Sequence, residues 1–176
     1  ADPTVSGVPS ADNLPTWDSD VSSVFPTVNG DDQLMQRIEV MRGKDKNGQW
    51  VENFSPTHVD HRTTDYTEAN AWQYTWFVPH DVEGLIELFG SESAFVSKLD
   101  ELFVTSSAMT GDVSPDISGL IGQYAHGNEP CHHIPYLYAF TSQPWKGEAR
   151  IKQIREVMYR ADPDGLAGND DVGQMS

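Results

Sequence analysis

Apolar residues recur at helical spacing in several stretches of this chain, and polar, Gly- and Pro-rich breaks separate them. Leu34, Met35, Ile38 and Met41 share one face of a helix that starts near Asp32 and stops at Gly43. Lys44 to Gln49 is a polar turn with Asn47-Gly48 at its tip, a hairpin signal. Phe54 to Thr64 contains Pro56 and lacks periodicity, which predicts a loop. Between Asp65 and Pro79, Trp72, Trp76 and Phe77 fall on one side of a predicted helix. Asp81 is suited to cap a helix carrying Val82, Leu85, Ile86 and Phe89, with Gly90 past its end. Ser91 or Ser93 opens the next, with Phe95, Val96, Leu99, Leu102 and Phe103. Residues 105–122 are rich in Ser, Gly, Asp and Pro and predict a loop. Pro130 suits the first turn of a helix running through Ile134, Tyr136, Leu137 and Phe140. After a polar break at Thr141 to Lys146, Ile151, Ile154, Val157 and Met158 mark a helix over 148–159, and Asp162-Pro-Asp-Gly165 is a turn. The pattern predicts a mainly α fold, a stack of helical hairpins with long loops and a site at one end.

Composition divides the chain in two. Residues 1–35 are rich in Pro, Ser and Thr, and Lys and Arg are absent from the first 30; this segment is expected to form an extended or loosely ordered arm, pinned by Trp17 and Phe25. Residues 36–176 hold the periodic stretches. The net charge of -16, from 27 acids against 11 bases, disfavours nucleic acid and anionic membranes, because phosphate binding needs a basic face. No apolar run is long enough to cross a bilayer. The single Cys131 excludes an internal disulfide and is expected to be structural.

The candidate chemistry is concentrated in residues 123–145, where three His, three Tyr, Glu129 and Cys131 fall within 23 residues. Glu129, at a helix mouth among aromatic rings, is a candidate acid or base. With Asp170 or Asp171 it would make the two-carboxylate pair that glycoside hydrolysis needs, although Asn169-Asp170-Asp171 by itself reads more readily as an ordinary turn or cap. Glu129 and His132 have the Glu-x-x-His spacing of di-iron bundles, but no second copy is present. His132 and His133 are adjacent and would diverge by about 100° on a helix, so they do not suit one metal. Trp72 and Trp76 beside Glu68, Asn70, Gln73 and Tyr74 combine rings with hydrogen-bonding groups as sugar sites do, yet large aromatics at this spacing are more often core.

Several blocks, in order, resemble the exo-acting α-mannosidases of glycoside hydrolase family 92. They are Met41-Arg-Gly-Lys44 with Trp50, Phe54 and Pro56; Asp65-Tyr-Thr-Glu-Ala-Asn-Ala-Trp-Gln-Tyr-Thr-Trp-Phe-Val-Pro-His-Asp81; and Phe95-Val-Ser-Lys-Leu-Asp-Glu-Leu-Phe103. His126-Gly-Asn-Glu-Pro-Cys-His-His-Ile-Pro-Tyr-Leu-Tyr138, Gln143-Pro-Trp-Lys146, Pro163-Asp-Gly-Leu166 and Gly168-Asn-Asp-Asp-Val-Gly-Gln-Met-Ser176 complete the series. The resemblance implies part of an (α/α)6 barrel and a calcium-dependent, inverting removal of terminal mannose from α-mannosides or N-glycans. It makes Glu129 the general acid and Asp171, or its neighbour Asp170, the general base. Trp72, Gln73, His132, His133 and Asn128 would line the sugar pocket, and Asn128, Gln123 and Asp170 the calcium neighbourhood. Cys131 stands where many members have Ser. A family catalytic module is several times longer, so the resemblance implies that the remainder of the module is this chain's partner and that the enzyme is secreted or periplasmic.

Two other functions remain open on the residues: a non-catalytic carbohydrate-binding or assembly fragment, and a helical metal protein built on Glu129 and His132.

Overall fold

The computed structural model describes residues 40–60, 65–113 and 115–168. The predicted arm, most of the helix expected from Asp32, and Asp170 and Asp171 lie outside the described residues. Met41 to Gly43, the expected end of that helix, is not helical: Lys44 bridges antiparallel to Trp50 around the Asn47-Gly48 turn. Gly48 takes φ +77, the left-handed conformation that Gly tolerates without strain.

The segment expected to be a loop after Phe54 contains a strand, β1 (His58–Asp60). It pairs in parallel with β2 (Thr110–Asp112), with Val59 opposite Gly111. Val59 is fully buried, and a parallel pair needs a long crossover. The three helices between the strands supply it.

The first helix, α1 (Ala71–Tyr74), is a single turn. Asn70 and Gln73 form a reciprocal capping box at its start. Thr75 ends it by turning its hydroxyl back to the Ala71 carbonyl (2.6 Å), and Pro79 prevents a restart. The expected helical stripe therefore splits: Trp72 and Trp76 are buried, whereas Phe77 is exposed. α2 (Val82–Leu88) begins at Asp81, whose carboxylate accepts from Gly84 N–H (2.9 Å), and is followed by Gly90 at φ +76. α3 (Glu92–Leu102) begins at Ser91, whose hydroxyl accepts from Ala94 N–H (3.1 Å). Its apolar face, Phe95, Val96, Leu99 and Leu102, is buried. The core centres on Trp76, which stacks on Phe89 (centroids 5.6 Å apart) and meets Phe95 edge-on (5.5 Å). Each such ring contributes roughly 1.5–3 kcal/mol on burial.

Beyond α3, β3 (Leu120–Ile121) and β4 (Tyr124–Ala125) form a small antiparallel hairpin. The helix expected from Glu129 to Phe140 is instead two 3₁₀ segments, Glu129–Cys131 and Ile134–Phe140. Pro135 is the cause: it cannot donate to Cys131, and its ring would clash with that carbonyl in an α-helix. The last helix, α4 (Pro144–Met158), starts four residues before the expected Glu148, because Pro144 suits its first turn. α4 packs on 134–140 at Gly147, where an added Cβ would lie 2.8 Å from the Pro135 carbonyl oxygen. Ile154 is buried, but Val157, expected on the same face, is exposed. The predicted turn is present, with Gly165 N–H donating to Asp162 O (3.0 Å).

Among the described residues the fold is a mixture of α and 3₁₀ helix and loops with two small strand pairs. Among the described residues the helices do not close a barrel.

Candidate active site

Two loops meet at Gly127. The first leaves β4 through His126 and carries Asn128 and Glu129 into the 3₁₀ segment. The second leaves α4 at Tyr159, turns at Asp162–Gly165 and returns at Gly168. A Cβ on Gly127 would lie 2.9 Å from Gly168 Cα, and one on Gly168 would lie 2.5 Å from Gly127 Cα. Both backbones therefore approach as only glycines allow. Gly168 also has φ +86.

Glu129 has one carboxylate oxygen, Oε1, that is buried and accepts no hydrogen bond among the described residues. A bare buried carboxylate oxygen is costly, so a donor, a proton or a cation is needed there. Asn128, just before it, is almost fully buried and donates through Nδ2 to the Glu68 carbonyl (2.8 Å). This bond brings in Glu68, which the sequence offered only as one of several polar groups beside Trp72 and Trp76 and not as a candidate acid or base. Glu68 has φ +54, unusual for a residue with a side chain. Such conformations persist where surrounding contacts enforce them, often at functional sites. The sequence signal was Glu68 in the aromatic- and amide-rich stretch before α1, but no periodicity points to its backbone.

The two histidines are held by different segments. His132 Nε2 donates to the His126 carbonyl (2.9 Å), and its ring stacks on His126 with centroids 5.0 Å apart. His133 Nε2 donates to the Trp76 carbonyl (2.7 Å). In a neutral ring with that bond, Nδ1 is the nitrogen able to accept. Among the described residues no three His, Cys, Asp or Glu side chains converge as a metal site.

Gln73 and Gln123 stand behind this site, in a buried amide network. Gln73 Nε2 donates to Gln123 O (3.0 Å), and Asn70 Nδ2 donates to Gln123 Oε1 (2.8 Å). Gln123 Nε2 spans Ser106 O (2.6 Å) and Ala108 O (3.1 Å). Both glutamines are engaged in joining α1, the loop after α3 and the β3–β4 hairpin. Gln123 Oε1 has one of its two lone pairs engaged by Asn70. Trp72 is also buried, with Lys98 Nζ 3.8 Å from its ring centroid, a cation–π contact, while Lys98 pairs with Glu101 (3.0 Å). Trp72 and Gln73, expected at a sugar, thus make protein contacts on the α3 and β4 sides.

His126 is buried between two phenols: Nδ1 meets Tyr124 Oη (2.7 Å) and Nε2 meets Tyr159 Oη (2.6 Å). Burial, and secondarily His132, push its pKa down to about 4. Cys131 is a buried free thiol whose pKa is pushed up to about 12 by burial, which makes it an inert structural residue.

The loop-borne Glu129 carboxylate, with one buried oxygen unpartnered among the described residues, is a candidate acid or base. Comparison with known proteins narrows this reading. The family model of the glycosyl hydrolase family 92 catalytic domain matches residues 15–176, and the chain belongs to that family. A family 92 α-mannosidase of Bacteroides thetaiotaomicron, solved in complex with mannoimidazole, is 42% identical with a TM-score of 0.68; the match covers 78% of this chain and 19% of that one. A second structure of that enzyme gives 45% identity and a TM-score of 0.65, covering 78% of this chain and 18% of that one. An uncharacterized secreted glycosidase of Arthroderma benhamiae is 30% identical over 108 residues, 61% of this chain and 12% of that protein. The chain therefore spans about a fifth or less of the length of these relatives.

Proposed function

We propose that this chain forms part of the catalytic site of an inverting α-mannosidase that removes terminal mannose from α-mannosides or N-glycans. The observation that carries the reading is the unpartnered, buried oxygen of Glu129 two residues from the Gly127–Gly168 contact. In sequence Asp170 follows Gly168 by two residues and Asp171 by three, as Glu129 follows Gly127 by two. The reading requires the roughly 6.5–9.5 Å carboxylate separation of inverting glycosidases between Glu129 and one of these aspartates. In this reading Glu129 protonates the leaving oxygen and Asp171, or its neighbour Asp170, takes the proton from the attacking water. The Nδ1 atoms of His132 and His133 accept from sugar hydroxyls, and Trp72 backs the pocket with Lys98 behind its ring.

The family also implies calcium. A hard cation takes oxygen donors, and Asn128 Oδ1 and the Asp170 carboxylate have the right chemistry, whereas Gln123 Oε1 already has one lone pair engaged by Asn70. When bound, calcium would supply Lewis-acidic fixation of sugar hydroxyls. The chain's own contribution is to hold Asn128 by its bond to Glu68 O and to keep the site buried.

A second assignment of roles is favoured by Glu68. Its left-handed backbone, held by Asn128, suits a carboxyl with a placed function, and Glu68 is partly exposed. Glu68 would then be the general acid, and Glu129 Oε1 would accept from a sugar hydroxyl, which satisfies the buried oxygen.

A secreted or periplasmic location is supported by the secreted relative, and among the described residues no helix is long and apolar enough to cross a membrane. The remainder of the module is the proposed partner, and nucleic acid and membranes are not. Mannose release from α-1,2-mannobiose, with calcium and again with EDTA, tests the reading. Calcium-dependent release is expected, from this chain or from a full-length catalytic module. A full-length module inactive on every α-mannoside would overturn it and favour a carbohydrate-binding or assembly fragment.

A further inference from the structure

We infer that His126 is a positioning residue that clamps the loop from Tyr159 to Gly168 onto the loop bearing Asn128 and Glu129. The inference rests on the reading of those loops as the catalytic ones. Both ends of the 159–168 loop are seated on consecutive residues. At one end Tyr159 Oη meets His126 Nε2 at 2.6 Å, and at the other Gly168 packs backbone to backbone on Gly127. Between these ends the loop is closed on itself by Arg160 N–H to Gly165 O (2.9 Å) and Gly165 N–H to Asp162 O (3.0 Å). It forms a closed turn with its two ends on one dipeptide, an Ω-like arrangement.

The imidazole suits this task. A neutral ring has one N–H and one lone pair, so one phenol donates to it and the other accepts. Tyr124, at the start of β4, holds Nδ1 at 2.7 Å and orients the ring, with Phe103 packed on Tyr124 at 5.1 Å. The His126 carbonyl at the same time holds His132, whose ring stacks on the other side. One residue thus ties together β4, the end of α4 and the 3₁₀ segment after Glu129. The hairpin itself offers little rigidity, since its strands are two residues each. The seating of the Tyr159–Gly168 loop on the loop that bears Glu129 is therefore set through the His126 ring and the Gly127 backbone.

Tyr159→Phe removes only one hydroxyl and keeps the ring. Amide hydrogen exchange on the whole chain is the primary measurement. In the variant the amides of Gly127, Asn128 and Gly165 are expected to exchange about tenfold faster, while those of α2 and α3 are unchanged. Unchanged exchange at Gly127 and Gly165, or an equal rise throughout the chain, would overturn the clamp. Tyr124→Phe is expected to release the same amides. Where mannose release is measurable, the variant should lose kcat about tenfold with KM nearly constant, because positioning rather than binding is lost. An equal loss through KM alone would also overturn the positioning role. A wild type without mannosidase activity would count against the catalytic reading only, since the exchange data decide the clamp independently.

Discussion

At the scale of single residues, two glutamates compete for one role, and the chemistry of the leaving group separates them. Glu129→Gln and Glu68→Gln should each lower turnover of a mannobiose, the general acid by about 10²–10⁴-fold. Only loss of the acid is bypassed by a good leaving group. With Glu129 as acid, Glu129→Gln recovers most of its rate on dinitrophenyl α-mannoside and Glu68→Gln does not. The opposite pattern assigns the acid to Glu68. Cys131 gives a prediction that needs no activity. Its thiol, nominally near 9, is pushed to about 12 by burial, which alone lowers the thiolate fraction at pH 8 about a thousandfold. Iodoacetamide should leave the native chain unmodified and label it fully in urea; rapid native labelling would contradict the burial. Glu129 was legible as a candidate because its side chain is conspicuous among aromatics and histidines. Glu68 was not, because what marks it is a backbone angle and a carbonyl partner 60 residues away.

Individual elements were legible where local chemistry decides them. Asp81 and Ser91 cap α2 and α3 as their spacing implies, since an N-cap depends on residues within one turn. The α-helix predicted over 129–140 failed because Pro135 outweighs the apolar spacing, and β1 was missed because its partner lies about 50 residues away. The contact between Gly127 and Gly168 belongs to this scale too. Gly168→Ala would place a methyl group 2.5 Å from Gly127 Cα at a φ of +86, and is expected to cost about 2–4 kcal/mol. A shift of the urea midpoint toward lower denaturant would measure it. A midpoint unchanged within error would mean that the two loops separate without penalty.

For the whole molecule, His126 contributes to the acid limb of stability. Its native pKa of about 4 lies below the ordinary 6.5, so the unfolded chain binds the proton first as pH falls. The contribution is complete above about pH 6.5, declines as pH drops toward 4 and is then exhausted. Urea unfolding across pH 7 to 4 should show this slope, and His126→Asn should flatten it. An equal slope in that variant would place the effect on other groups.

The sequence by itself determined that helices with few strands would dominate the regular structure, the caps of α2 and α3, the hairpin turn at Gly48, the acidic net charge and the family resemblance, because each depends on composition, on neighbours in the chain or on quoted blocks. Only the tertiary structure decided that Gln73 and Gln123 serve an internal amide network, that Trp72 lies under Lys98, and that Glu68 and Asn128 meet. The same holds for the return of the chain after α4 onto Gly127. These are encounters between residues tens of positions apart, where burial forces each polar group to find a partner, and no local pattern records which partner it will be.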